Sequence, residues 1–226
     1  MSSQVSTWKS EHRTFSALLV ILEKQANMFH QDLEPNYDLM LEIVNYMKDY
    51  ADRYHHPMED RVFAVIAERV PDVREIVWEL KREHGYILDC ANELASDLES
   101  VLGGTVMSRN DIEDRAKRYI ETFRRHIFTE EQGVLMDAAA KLTKEDWAKL
   151  AEHSEKGEDP LTGKRYDQRY SALRREIESQ TIDQSHRLED VIVKYAPGRT
   201  VSLEVYRDGI YVTRMITLGT RPPNAA

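Results

Sequence analysis

The sequence predicts an all-α fold: an up-down-up-down four-helix bundle with a C-terminal extension of one or two helices and a β-hairpin. Three observations predict it. Glycine and proline are scarce before residue 157. The long stretches between them carry apolar residues at spacings of three and four rather than in alternation. The connections between these stretches are short, as antiparallel neighbours in a bundle require.

The first helix is expected from about Ser6 to Leu33, where His12, Phe15, Leu19, Leu22, Ala26 and Phe29 form one stripe, and Pro35 ends it. The second starts near Asn36 and carries Leu39, Ile43, Tyr46, Met47, Tyr50 and Tyr54 into "RYHHPMEDRVF", continuing through Phe63 and Ile66 to Val70-Pro71. The third spans Asp72 to Val101 and stops at Gly103-Gly104, a glycine C-cap and turn. The fourth opens at Ser108-Arg109-Asn110-Asp111, an N-cap region, and is expected to reach Ala140. Thr143 then caps a shorter helix that ends before Gly157, "KGEDPLTGKRYD" reads as a linker, and residues 166–190 suit one more polar helix. In the tail, Asp208-Gly209 separates two β-branched and aromatic runs, a hairpin signal that places Val201, Leu203, Val205, Ile210, Val212 and Ile216 on one face. The division expected is a bundle over residues 1–142 and an extension over 143–226. A lone hairpin is marginal in water, so the tail is expected to lie on the bundle, a partner chain or a second copy of itself.

With 40 acidic against 31 basic residues and a net charge of −9, the surface repels phosphate backbones, which argues against nucleic acid. The opening segment lacks an apolar signal core and no window approaches a membrane span, so a soluble, cytoplasmic protein without membrane contact is expected. Cys90 is the single cysteine, which excludes an internal disulfide and a thiolate-rich metal site.

Six of the eight histidines, at 12, 30, 55, 56, 84 and 126, fall within the four expected helices, whereas His153 and His186 lie outside among charged residues. Two helices repeat one local pattern: His55-x-x-x-Glu59 followed by Asp60, and His126-x-x-x-Glu130 followed by Glu131. Positions i and i+4 project from one face, so an imidazole and a carboxylate so placed can grip one metal centre. A single such pair arises by chance in an acidic chain. Here apolar residues flank both pairs at helical spacing, and His12 and His84 lie on the apolar stripes of two further helices, His84 beside Leu80, Ile87 and Leu88. Buried carboxylates and imidazoles in that number need a cation to offset their desolvation. Tyr46, Tyr50 and Tyr54 read as bundle-core aromatics and Cys90 as a small buried hydrophobe.

One histidine in helix one, "HHPMED" in helix two, "EH" in helix three and "HIFTEE" in helix four together resemble the hemerythrin-like, or HHE cation-binding, family over roughly residues 8–140. The resemblance implies a four-helix bundle holding two iron ions, oxo- or hydroxo-bridged, with His12, His55, Glu59, His84, His126 and Glu130 as ligands and the two glutamates bridging. The oxygen-carrying members have a second histidine four residues along helix three, where this chain has Leu88, so one iron needs a nitrogen ligand from His56 or His30. Ferritin-like di-iron bundles use Glu-x-x-His instead, a spacing absent from this chain.

The function expected from this is binding or sensing of O2, NO or iron at the dinuclear centre, with the hairpin as a contact to a second copy or partner. The alternative is an oxidoreductase, peroxidase-like or iron-releasing, in oxidative or nitrosative stress defence or iron–sulfur repair. The chain alone leaves enzyme and binding module both open.

Overall fold

The structure, a computed structural model, describes residues 3–31, 33–152, 159–161, 168–180, 198–207 and 210–219. The chain divides into two compact units, Met1–Leu173 and Arg174–Ala226. Most described residues are helical. Among them no helix is long and apolar enough to cross a membrane.

In the first unit, α1 (Ser3–Met28) closes with a 3-10 turn at Phe29–Gln31, shorter than the helix expected to Leu33. Asn36 caps α2 (Tyr37–Tyr46), its side chain accepting from the Leu39 amide. The chain then widens into a π-helix over Met47–His55 before α3 (His56–Arg69). After a 3-10 turn at Pro71–Val73 come α4 (Arg74–Leu102) and α5 (Arg109–Gln132), the latter capped by Ser108 as the sequence implies. Helix α1 packs on α5, α2 on α4, and α4 on α5.

Two interruptions depart from the expected helices. Pro57 offers no amide to the carbonyl of Arg53 and disfavours helical geometry at His56, so the sequence implies a helix kinked or loosened there, with the His55 and His56 rings turned toward a common centre. His56 is instead right-handed helical (φ −58°, ψ −41°), and its amide bonds the Ala51 carbonyl, five residues back. The missing bond is thus accommodated by a wider turn rather than by leaving the helix. The second break is at Gly133, whose φ −132° and ψ −86° end α5 and start α6 (Val134–Lys141), where one helix was expected to reach Ala140. The redirected α6 packs against α3 and buries Val134, Leu135 and Ala138.

Thr143 caps α7 (Lys144–Glu152) as expected, its hydroxyl accepting from the Asp146 amide while Asp146 returns a bond to the Thr143 amide. Further along, a 3-10 turn at Gln168–Tyr170 leads into α8 (Ser171–Gln180), within the span read as a polar helix. Residues 181–190 of that span and His153 and His186 lie outside the described residues.

The core of the first unit is layered along the helices. One apolar layer holds Trp8, Val62, Phe63, Leu80 and Leu135. Phe15, Leu19, Ile43, Ile87, Leu94 and Phe123 are also buried, Phe15 meeting Phe123 edge-on at 5.9 Å. On each of α1, α3, α4 and α5 the residues lying between these positions in the chain include a buried histidine or glutamate: His12, His56 with Glu59, His84, and His126 with Glu130. Leu88 departs from its expected place on this stripe: it is exposed, whereas Leu80 and Ile87 are buried.

In the second unit β1 (Thr200–Arg207) and β2 (Ile210–Thr217) pair antiparallel. The register sets Val201 opposite Ile216 and Val205 opposite Val212, and puts Leu203 opposite Arg214 and Ile210 opposite Arg207. The six residues expected on one face share that alternate set of pairs. The Asp208-Gly209 turn lies outside the described residues.

Candidate metal centre

The polar layer converges on two buried carboxylates. Glu59 and Glu130 are both completely buried. Each faces two ways. Glu59 Oε1 lies 3.2 Å from His55 Nε2 and 3.5 Å from His12 Nε2, while its Oε2 lies 3.9 Å from His84 Nε2. Glu130 mirrors it: Oε2 is 3.4 Å from His12 Nε2, and Oε1 is 3.1 Å from His126 Nε2 and 3.5 Å from His84 Nε2. Each carboxylate therefore presents one oxygen to the His12/His55 side and the other to the His84/His126 side.

Two groups of donor atoms result, each with all members within 4.8 Å of one another: His12, His55 and Glu59, and His56, Glu59, His84 and His126. His56 joins the second group, its ring stacked on that of His84 at 4.2 Å. Adjacent residues on an α-helix diverge by about 100°. His55 and His56 nonetheless both turn inward, at the junction where the π-helix passes into α3. Position 88 points outward on α4, and the third imidazole of this group comes from His56 rather than from α4. The side chain of His30 lies outside the described residues.

A second set of residues, absent from the sequence reading as functional groups, holds every one of these rings from behind. Nδ1 of His12 meets Glu131 at 3.0 Å, Nδ1 of His55 meets Glu11 at 2.6 Å, and Nδ1 of His56 meets Asp52 at 2.9 Å. Nδ1 of His84 meets Asp60 at 3.0 Å and Nδ1 of His126 meets Glu83 at 3.2 Å. A neutral imidazole that donates from Nδ1 leaves the Nε2 lone pair free, the tautomer that a metal takes, and the carboxylate raises its basicity. Four of the five carboxylates, Glu11, Asp60, Glu83 and Glu131, are immediate chain neighbours of His12, Glu59, His84 and Glu130, yet each serves a ring on another helix. Only Asp52 serves its own helix, four residues before His56.

The electrostatics follow from this crowding. Burial alone would depress the His12 and His84 imidazoles, but hydrogen-bonded and nearby carboxylates outweigh it. Glu131, Glu59 and Glu130 lift His12 to about 10, and Asp60, Glu130 and Glu59 do the same for His84. Burial is likewise outweighed at His55 and His126, which are raised, mainly by Glu59 and Glu130 respectively. His56 goes the other way, held well below its ordinary value by burial and then by the neighbouring His84, His126 and His55. Burial would lift both buried carboxyls, and Glu59 would lift Glu130 further. The imidazoles around them instead hold both below the usual carboxylate range.

The donor set fits a metal cation site. Both oxygens of Glu59 and of Glu130, and Nε2 of His84 and His126, are buried without a hydrogen-bond partner. Such orphaned groups are costly in a packed core, and here all of them point to one place. Imidazole with carboxylate suits iron, manganese or zinc. Cys90, buried with its thiol pushed up by burial, takes no part.

Residues 3–138 match the family model described as "Hemerythrin HHE cation binding domain". No curated protein and no solved structure matches the chain.

Proposed function

Because the chain belongs to the hemerythrin HHE cation-binding family, we propose that its helices form an up-down-up-down bundle around a dinuclear non-haem iron centre that binds or senses O2, NO or iron itself. The observation that carries this is the two-faced presentation of Glu59 and Glu130, which suits carboxylates shared between two ions. His12 and His55 would hold one ion, and His56, His84 and His126 the other. Bound iron supplies a Lewis acid and an accessible redox couple.

The two sides are unequal. Two imidazoles face one side and three the other, so the His12/His55 side keeps more room for a small ligand. Phe15 and Trp8 wall that side, with Phe15 set edge-on to His55 at 5.1 Å and Trp8 at 6.3 Å. They keep it apolar, which suits a diatomic molecule. The five outer carboxylates fix the rings and hold the Nδ1 protons. Outside the bundle, the hairpin is proposed to contact a second copy or a partner.

A second reading, a peroxidase-like or iron-releasing oxidoreductase, is favoured by one observation: the Tyr50 hydroxyl donates to Glu11 at 2.7 Å, and Glu11 in turn holds His55. Optical spectra of the anaerobic iron-loaded protein on adding NO or O2, and peroxide consumption by the same protein, separate the two. A stable adduct without turnover supports the binding module. Rapid peroxide loss that Glu130→Ala abolishes supports the enzyme.

A further inference from the structure

Three tyrosines stand in line behind the His12/His55 side of the centre. Tyr50 and Tyr46 are stacked, 5.9 Å apart with their planes 24° from parallel, and Tyr170 meets Tyr46 edge-on at 5.7 Å. All three are buried. Each hydroxyl donates to a carboxylate of its own: Tyr50 to Glu11 at 2.7 Å, Tyr46 to Asp159 at 3.1 Å, and Tyr170 to Asp49 at 2.7 Å. The inner end touches the centre, since the other oxygen of Glu11 holds His55 Nδ1 at 2.6 Å. The outer end reaches water through Asp49, whose side chain is 44 % exposed.

Packing alone does not require this chemistry. Phenylalanine fills the same space without a buried hydroxyl to satisfy. Burial and the adjacent carboxylates push the Tyr46 and Tyr50 hydroxyls well above their ordinary range, so neither ionises in neutral water. Oxidation of such a phenol needs a base in contact to take the proton as the electron leaves, and every ring in the line has one.

We propose that Tyr50, Tyr46 and Tyr170 form a redox relay that carries oxidising equivalents from the iron centre to the surface, which rests on the oxidoreductase reading of that centre above. The terminal oxidant is hydrogen peroxide, reduced at the centre. Tyr50 gives one electron toward His55 and its hydroxyl proton to Glu11. Tyr46 then reduces the Tyr50 radical, which takes its proton back from Glu11 while Asp159 receives the proton of Tyr46. Tyr170 repeats the exchange with Asp49 and is finally reduced by an external one-electron donor such as a phenol or thiol. Two passages supply two electrons, which with two protons taken from solvent convert one peroxide at the centre into two waters, while the two external donors release two protons at the surface.

The test treats iron-loaded full-length protein with hydrogen peroxide in the presence of a nitroso spin trap. Metal analysis, electron paramagnetic resonance after rapid freezing, and mass spectrometry of trapped adducts are the readouts. The expected result is a tyrosyl signal with adduct at Tyr170. In Tyr46→Phe, which leaves Glu11 and the ligand residues untouched, the signal persists at Tyr50 and the Tyr170 adduct is lost. Iron that is bound and oxidised with no tyrosyl signal, or adducts confined to Trp8 or Trp147, overturns the relay alone. A Tyr170 adduct unchanged in Tyr46→Phe also overturns it. Protein that takes up no iron overturns both this proposal and the iron-centre reading.

Discussion

Nε2 of His12 and Nε2 of His55 lie 3.0 Å apart in a buried space, while the Nδ1 atoms of the same two rings are engaged by Glu131 and Glu11. Two donors aimed at each other in this way leave two lone pairs in contact unless a cation lies between them or one ring carries an extra proton. The surrounding oxygens of Glu59 and Glu130 favour positive charge at that point. In the metal-free protein protons can supply it, and a bound cation would take their place.

Metal loading is therefore expected to stabilise the fold. A cation that binds only the folded chain adds about 2.7 kcal/mol at a free concentration of 100 times its Kd. A clear rise in Tm on anaerobic addition of Fe2+, reversed by a chelator, is the expected outcome in calorimetry.

The pH dependence has a defined sign. Folding raises His12 and His84 from about 6.5 to about 10, so their contribution to metal-free stability is fully present below the unfolded value and is lost as pH rises through 10. Metal competes with those protons. Its affinity should climb with pH across the same window, and loading at neutral pH should release protons into weakly buffered solution. Metal titrations at a series of pH values, read alongside proton release, check this.

The outer carboxylates are expected to matter without touching metal. Glu131→Gln or Glu83→Gln keeps shape but removes the charge behind His12 or His126. Losing a carboxylate that orients a metal-binding imidazole costs on the order of 10–100-fold in metal affinity. Competition with a chromogenic chelator measures it, and a surface control such as Glu93→Gln should leave affinity unchanged.

Pro57 is expected to maintain the π-helix that precedes it. Restoring the amide in Pro57→Ala lets the Arg53 carbonyl regain its partner and the turn tighten toward α-helical geometry. His56 should then swing from the His84 stack, and the three-histidine side should bind more weakly. Unchanged metal stoichiometry and an unchanged optical spectrum would count against this role.

Much of this was legible in the chain because helical spacing carries it. The stripe through His12, the two His-x-x-x-Glu pairs and the caps at Ser108 and Thr143 follow from periodicity and local hydrogen bonding alone. A loosened helix at Pro57 follows from the missing amide, but its π-helical form does not, because a shift from four-residue to five-residue bonding leaves the composition unaltered. Its one trace is the pair His55-His56 before a proline, two rings that a regular helix would point apart. Gly133 interrupts a stretch whose apolar pattern runs straight through it, so α5 and α6 read as one helix. The outer carboxylates were hidden by an excess of acids, although a usable sign existed: an acid beside a buried histidine or glutamate on three different helices and again on the fourth. The tyrosine line needed Tyr170, which lies far along the chain from Tyr46 and Tyr50 and cannot be joined to them by spacing.

Anomalous scattering at the iron edge from crystals of the loaded protein tests the centre most directly. Two peaks are expected, one against His12 and His55 and one against His56, His84 and His126, with Glu59 and Glu130 each touching both. A single peak, or a cavity holding only water between those side chains, would contradict the account.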